Sequence, residues 1–195
     1  MTDEELMSAV CSGEHSAYQR LVERHLTPIG HYAYRMIGNQ ADTNDITQET
    51  FLKLWVNAEK WDPNKAKLTT WLHRIAHNLC VDLLRKYEKN LPLKNTEEEQ
   101  GYQEIWHGAD RNKGELNEKL QQLSSVLRAL PENQRSALTL CHYSGFSNKE
   151  AATIMNISLK ALESAISRAK RSLRKALSDI DDVAENHGKA LSKNL

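Results

Sequence analysis

Residues 147–175 read SNKEAATIMNISLKALESAISRAKRSLRK, two short helical patterns separated by a turn. Ser147 is placed to cap the first helix while Glu150 reaches back to it, the Ser-x-x-Glu capping box. Ala151, Ala152, Ile154 and Met155 carry that helix forward. Asn156-Ile157-Ser158 interrupts it: Asn tolerates left-handed backbone, and Ser158 is a ready N-cap for a second helix. There Leu162, Ile166, Ala169 and Leu173 fall on one stripe at spacings of three and four. Lys160, Ser164, Ser167, Arg168, Lys170, Arg171, Arg174 and Lys175 remain outside it. A thin apolar seam with a basic remainder suits the DNA major groove, where the N-terminal residues of such a helix reach base edges. An ordinary amphipathic pair with solvated charges has the same pattern, so the rest of the chain must decide.

Net charge over the 195 residues is zero, with 26 basic and 26 acidic side chains, which at first argues against a nucleic-acid protein. The charges are not evenly spread. Residues 1–90 hold 11 basic and 12 acidic side chains, residues 91–118 hold 3 and 7, and residues 119–195 hold 12 and 7. Positive charge therefore gathers around the helix-turn-helix, as an electrostatic footprint on phosphates requires. Cys11, Cys80 and Cys141 are odd in number and far apart, the usage of reduced intracellular thiols. The N-terminus is acidic with no apolar segment of the signal-peptide kind, and no long apolar run predicts a membrane span. The expectation is a soluble, cytoplasmic protein with no membrane insertion.

Every periodic stretch is helical, so an all-α fold is expected. A first helix spans Thr2 to Val10 and ends near Ser12-Gly13. A second, from Ala17 to Leu26, is broken by Pro28; a third, from Ile29 to Ile37, stops at Gly38-Asn39. Asp42 is expected to cap the next helix, with Ile46, Thr50, Phe51, Leu54, Trp55 and Ala58 as its apolar stripe. Trp61 to Asn64 is a loop, and a helix resumes at Thr70. Residues 91–118, with Glu97-Glu98-Glu99 and Gly101 and Gly108, read as a flexible acidic linker. A second domain begins near Leu116, with Pro131 suited to a first helical turn. The division is thus 1–90, 91–118 and 119–178, with a polar tail at 179–195.

Residues 42–55, DTNDITQETFLKLW, place Asp42, Asp45 and Glu49 together opposite Ile46, Phe51 and Leu54. An acidic, hydrogen-bonding face backed by a core suits a basic partner; acids near a helix start also simply suit its macrodipole. With this run come TWLHRIAHN at 70–78 and Leu130-Pro131-x-x-Gln134-Arg135, followed by the helix-turn-helix. Together, in this order and spacing, they resemble the extracytoplasmic-function sigma factors from about Glu14 to Leu177.

The resemblance implies a bacterial promoter-specificity subunit whose partners are core RNA polymerase, promoter DNA and an anti-sigma factor. It implies region 2 over residues 1–90 and region 4 over 119–178. Asp45, Gln48 and Glu49 match the segment that contacts the polymerase clamp helices. Asn78, with the loop from Asp62 to Thr69, matches the part that reads and melts the −10 element. Glu163, Ser164, Ser167 and Arg168 match the −35 reader, with Lys160 and Arg171 beside them on the basic face. From the residues themselves, Lys65, Lys67 and Arg74 are placed to hold a strand electrostatically, and Trp61 or Trp71 to stack on a base. Trp71 leads an apolar stripe and reads better as core. Lys160-Ala161-Leu162, Glu163 and Ala165 depart from the family's usual Gly-Thr-Val and basic residues, so no −35 consensus is carried over.

No catalytic arrangement stands out, and no cofactor is expected. His73, His77 and Cys80 share one helical face with zinc-ligand spacing, but position 74 is Arg, so the metalloprotease motif is absent; they read as surface or boundary residues. A stand-alone helix-turn-helix regulator remains the alternative function, and a zinc hydrolase a more distant one.

Overall fold

The structure, a computed structural model, describes residues 1–90 and 125–191, with side chains described for 1–89 and 125–178. The proposed linker at 91–118 and the last residues of the tail lie outside the described residues. All regular structure among those described is helical.

Helix α1 spans Asp3–Cys11 and opens with the Thr2–Glu5 capping box in both directions. Helix α2 spans His15–Ile37 and closes on Gly38, whose φ of 89° is left-handed. The sequence predicts a break at Pro28; instead α2 runs straight through it. Pro28 is exposed, while Leu21, His25, Ile29 and Tyr32 form one buried stripe across it. Burying such side chains contributes about 1.5–3 kcal/mol each, enough together to outweigh the roughly 3 kcal/mol cost of an interior proline.

Helix α3 spans Gln40–Val56 and is capped by Asn39, whose side chain accepts from the Asp42 N–H at 2.8 Å. The expected cap, Asp42, lies inside the first turn instead. Gly38 releases the chain from α2 so abruptly that Asn39 is already free to begin the next helix. A 3₁₀ turn, Ala58–Lys60, and a loop lead to α4, Leu68–Asn90, which begins two residues before the expected Thr70.

In the second half, a helical stretch at 125–129 precedes α5, Glu132–Leu138; Pro131 stands at its N-cap rather than in its first turn. A π-helical turn, Thr139–Tyr143, leads to α6, Asn148–Met155, with the Ser147–Glu150 capping box formed. Asn156, at φ 54°, ends α6 in left-handed geometry. The Ala161 N–H donates to Ser158 Oγ at 3.2 Å, starting α7, Leu159–Leu191. Helix α7 thus continues past the expected boundary at 178; Gly188 is the sole glycine between there and Leu191, and no proline stops it.

Helix α4 packs against α2 and α3 and also against α6. Leu6, Leu21, Leu54 and Leu72 from the first half share one core with Leu140, Ile154 and Leu162 from the second. A smaller cluster of Leu127, Leu130, Leu138 and Ala169 ties α5 to α7.

Candidate nucleic-acid interface

Burying Leu162, Ala165, Ile166 and Ala169 turns one stripe of α7 inward. At 3.6 residues per turn, Lys160, Glu163, Ser164, Ser167, Arg168 and Arg171 then fall on one outward face, and all six are exposed. Ala165, read from sequence as a lost positive charge on that face, is buried instead.

The first-half candidates are also exposed: the cations Lys65 and Lys67 in the loop, and Arg74 and the amide Asn78 one turn apart on α4. The loop has its own internal order. Asp62 accepts the Asn64 N–H at 3.0 Å, which holds its carboxyl below the usual range, and pairs with Lys65 at 3.5 Å. Trp61, a stacking candidate, donates its indole N–H to the Ala66 carbonyl at 3.1 Å and packs on the core, as Trp71 does. Both tryptophans are partly buried against the core. Lys67 Nζ is 3.2 Å from Glu150 Oε1, reaching from the first half into the helix-turn-helix. Arg74 lines a cleft with Lys149, Thr153, Asn156 and Ser158 from the same unit.

On α3, Asp45 and Gln48 are exposed, and Glu49 is half-exposed and pairs with Lys53 at 3.1 Å. Asp42 leaves this acidic face, because its carboxylate accepts from Asn39 and from the Tyr87 hydroxyl.

His73 and His77 are not surface residues. They are 4% and 6% exposed, and burial lowers the pKa of each to about 4. His73 Nδ1 lies 2.8 Å from the Thr69 carbonyl and must donate to it; Nε2 is buried without a partner. His77 Nδ1 shares hydrogen bonds with the Tyr32 hydroxyl at 2.9 Å and Ser136 Oγ at 3.4 Å. Cys80, one turn on, is buried, and burial raises its thiol pKa. Among the described residues no cluster of side chains suited to a metal is formed.

Arg135 completes this buried junction. Its guanidinium donates to the carbonyls of Met36 in α2, and of Arg128 and Leu130 in its own half. The His73 and Phe146 rings meet edge to face at 4.7 Å, and Arg35 lies 4.7 Å over the Tyr143 ring. The sequence marked Arg135 only as part of a motif. The available signal was two histidines and a cysteine at helical spacing on the same side of the helix as apolar Leu72 and Ala76, a pattern of burial rather than of ligation.

The family model for Sigma-70 region 2 matches residues 21–90, and that for Sigma-70, region 4 matches residues 120–173. The ECF RNA polymerase sigma factor SigW of Bacillus subtilis is 32% identical over 180 residues, covering 88% of this chain and 94% of that protein. SigE of Mycolicibacterium smegmatis is 30% identical over 170 residues, 81% of this chain; the match spans 60% of that relative. The structure of CnrH in complex with the cytosolic domain of CnrY matches at a TM-score of 0.67 with 27% identity, covering 92% of this chain and 98% of that one. No helix among the described residues is long and apolar enough to cross a membrane.

Proposed function

Since the chain belongs to the extracytoplasmic-function sigma factor family and is an alternative sigma factor directing transcription initiation, we propose a division of labour among its surfaces. Residues 1–90 bind core RNA polymerase and the −10 element, residues 119–178 read the −35 element, and 91–118 join them. The acidic α3 face of Asp45, Gln48 and Glu49 docks on a basic surface of the polymerase. Lys65, Lys67, Arg74 and Asn78 hold the −10 strand. Lys160, Glu163, Ser164, Ser167, Arg168 and Arg171 face the −35 duplex.

The observation that carries this reading is the exposed face of α7, six polar side chains on a helix whose opposite stripe is locked in the core. Fixed backing lets such a face hold side chains in register with base edges. Glu163 is placed to accept from a cytosine amino group, and Arg168 to meet guanine or a phosphate. Promoter melting needs no reactive group: capturing an unstacked base offsets the few kcal/mol lost on unpairing it. We therefore assign no enzymatic step to this chain, and place its action in the cytoplasm with the transcription machinery. CnrH was solved with the cytosolic domain of CnrY; by analogy an anti-sigma protein is assigned here as a further partner.

Run-off transcription by bacterial core polymerase on a randomised promoter library, with and without the protein, tests the reading. Transcripts dependent on the protein and sharing two short upstream elements are expected. Their absence, together with a half-site footprint by the protein alone, would make it a stand-alone regulator.

A further inference from the structure

Lys149, Thr153 and Asn156 recur at spacings of four and three along α6, on the edge opposite the buried Ala151, Ile154 and Met155. All three are exposed. Asn156, left-handed at φ 54°, turns the chain so that α7 starts beside them, with Leu159 46% exposed. On α4 the buried Leu72, Ala76 and Cys80 leave Arg74 on the outer face. The packing of α4 on α6 brings Arg74 to the edge of the helix-turn-helix. Between them lies a cleft of ≈ 480 Å³, whose walls include both Arg74 and Lys149.

The lining holds two cations and no carboxylate. Neighbouring cations are matched: Lys65 pairs with Asp62, and Lys67 with Glu150. Glu150, next in sequence to Lys149, is committed to the Ser147 cap and to Lys67, which hold its carboxyl below the usual range. Among the described residues Arg74 and Lys149 form no ion pair. Like charges converging on a cleft repel, and an anion between them turns the repulsion into attraction. Phosphate suits the pair, because the guanidinium offers five N–H donors in a planar fork and the ammonium three. The first N–H groups of α7 add positive potential at Leu159, but the two cations carry the site.

We propose that this cleft binds a phosphorylated small molecule of nucleotide size, with its phosphate between Arg74 and Lys149. The volume lies within the roughly 300–1,000 Å³ of small-molecule sites and leaves space that a bare phosphate would not use. The rest of the lining matches a base and sugar. Ile157 and Leu159 give an apolar side, and the Asn156 amide both donates and accepts. Thr153 Oγ1 donates to the Lys149 carbonyl at 3.0 Å and keeps its lone pairs for a ligand hydroxyl. Lys149 and the cleft have no part in the division of labour proposed above, so the inference goes beyond it. Arg74 alone is shared: it cannot hold a ligand phosphate and the −10 strand at once, which ties occupancy of the cleft to promoter use.

Titration calorimetry on the full chain tests the site, with adenosine and guanosine 5′-monophosphates, their unphosphorylated nucleosides and inorganic phosphate as probes. Lys149→Glu is the diagnostic variant. An acid in the first turn of α6 suits the helix dipole, so the fold is kept while the anion is repelled. At least one nucleotide should bind tenfold or more tightly than its nucleoside and than inorganic phosphate. Its affinity should fall at least tenfold in Lys149→Glu and in Arg74→Ala. Lys170→Glu, on the exposed side of α7 and outside the cleft, should leave it within about twofold. An equal loss in Lys170→Glu would mean diffuse attraction to the basic helix and would overturn the cleft. Inorganic phosphate binding as tightly as nucleotide would overturn it too, as an anion seat with no use for the remaining volume. Absence of binding by every probe also ends the proposal; if a random-sequence duplex then loses affinity in Lys149→Glu, the two cations serve a DNA backbone phosphate instead. Failure of the sigma-factor reading would look different, since it removes core-dependent transcripts and leaves these titrations standing.

Discussion

Protonating His73 or His77 would put a cation in the buried core, where neither faces a carboxylate. His73 stands between the rings of Tyr32 and Phe146 with Nε2 unpartnered, and His77 already uses Nδ1 on Tyr32 and Ser136. Burial is the main cause of the fall from 6.5 to about 4, aided for His73 by His25 and for His77 by Arg85, and opposed at His73 by the Thr69 carbonyl. Between those two values the unfolded chain binds more protons than the folded one, so stability falls as pH falls. Each histidine should contribute a loss of about 1.4 kcal/mol per pH unit over that window. His25, lowered chiefly by its own burial, adds in the same direction. Denaturant melts at pH 7.5, 6 and 5 should show the decline, and His77→Gln should flatten it. A wild-type midpoint constant across that range would mean that the histidines are not buried as described. On α7, Arg168→Ala should weaken binding to the selected −35 element by about 1–3 kcal/mol if Arg168 reads a guanine. A uniform loss across sequences would mark a phosphate contact. These single-residue roles were only half legible: periodicity put Arg168 outward, but no local pattern could announce that Arg135 would bury its guanidinium against Met36, a partner 99 positions away.

The helices were the most readable level, because capping and periodicity are local. Ser147–Glu150, Asn156 and Ser158 were placed from sequence because each satisfies backbone groups within four residues of itself. Where reading failed, tertiary packing had overridden the local signal. Pro28 predicts a break, yet the stripe from Leu21 to Tyr32 holds α2 continuous. Pro28→Ala should therefore raise stability by about 1–2 kcal/mol in urea denaturation, restoring a helical hydrogen bond at an exposed position. No gain would mean that the surrounding turn has already adjusted to the missing N–H. Asn39 took the cap expected of Asp42, and Asp42 was drawn to Tyr87 on α4. The acidic face of α3 accordingly narrows to Asp45, Gln48 and Glu49. Asp45→Lys with Glu49→Lys should weaken core-polymerase binding in a pull-down or anisotropy titration while leaving circular dichroism unchanged, since neither side chain is buried. Retained affinity would exclude α3 from the interface.

At the scale of the whole molecule, two helical halves were legible from composition and motifs, but their association was not. Nothing in the α4 pattern says that its second apolar edge meets α6 rather than solvent, since a helix covered on two sides and one half-exposed differ only in how wide the stripe is. Cys80 reports on that association directly. It lies on the edge of α4 shared with His73 and His77, near enough to Glu132 and Arg135 for their charges to bear on its thiol. A thiol reagent reaches it only when the second half lifts or the first half unfolds, whereas Cys11 is exposed throughout. In wild type, Cys11 should react first and Cys80 at a rate scaled down by the fraction of molecules open. Ser136→Arg, too large for its place against Met36 and His77, should raise the Cys80 rate with no change at Cys11, and should do so well below the denaturant concentration that melts α2. That last condition separates parting of the halves from unfolding, because lifting α5 uncovers Cys80 while leaving Leu21 and Leu54 packed. Equal protection of Cys80 in both proteins would show that the halves do not part at this junction.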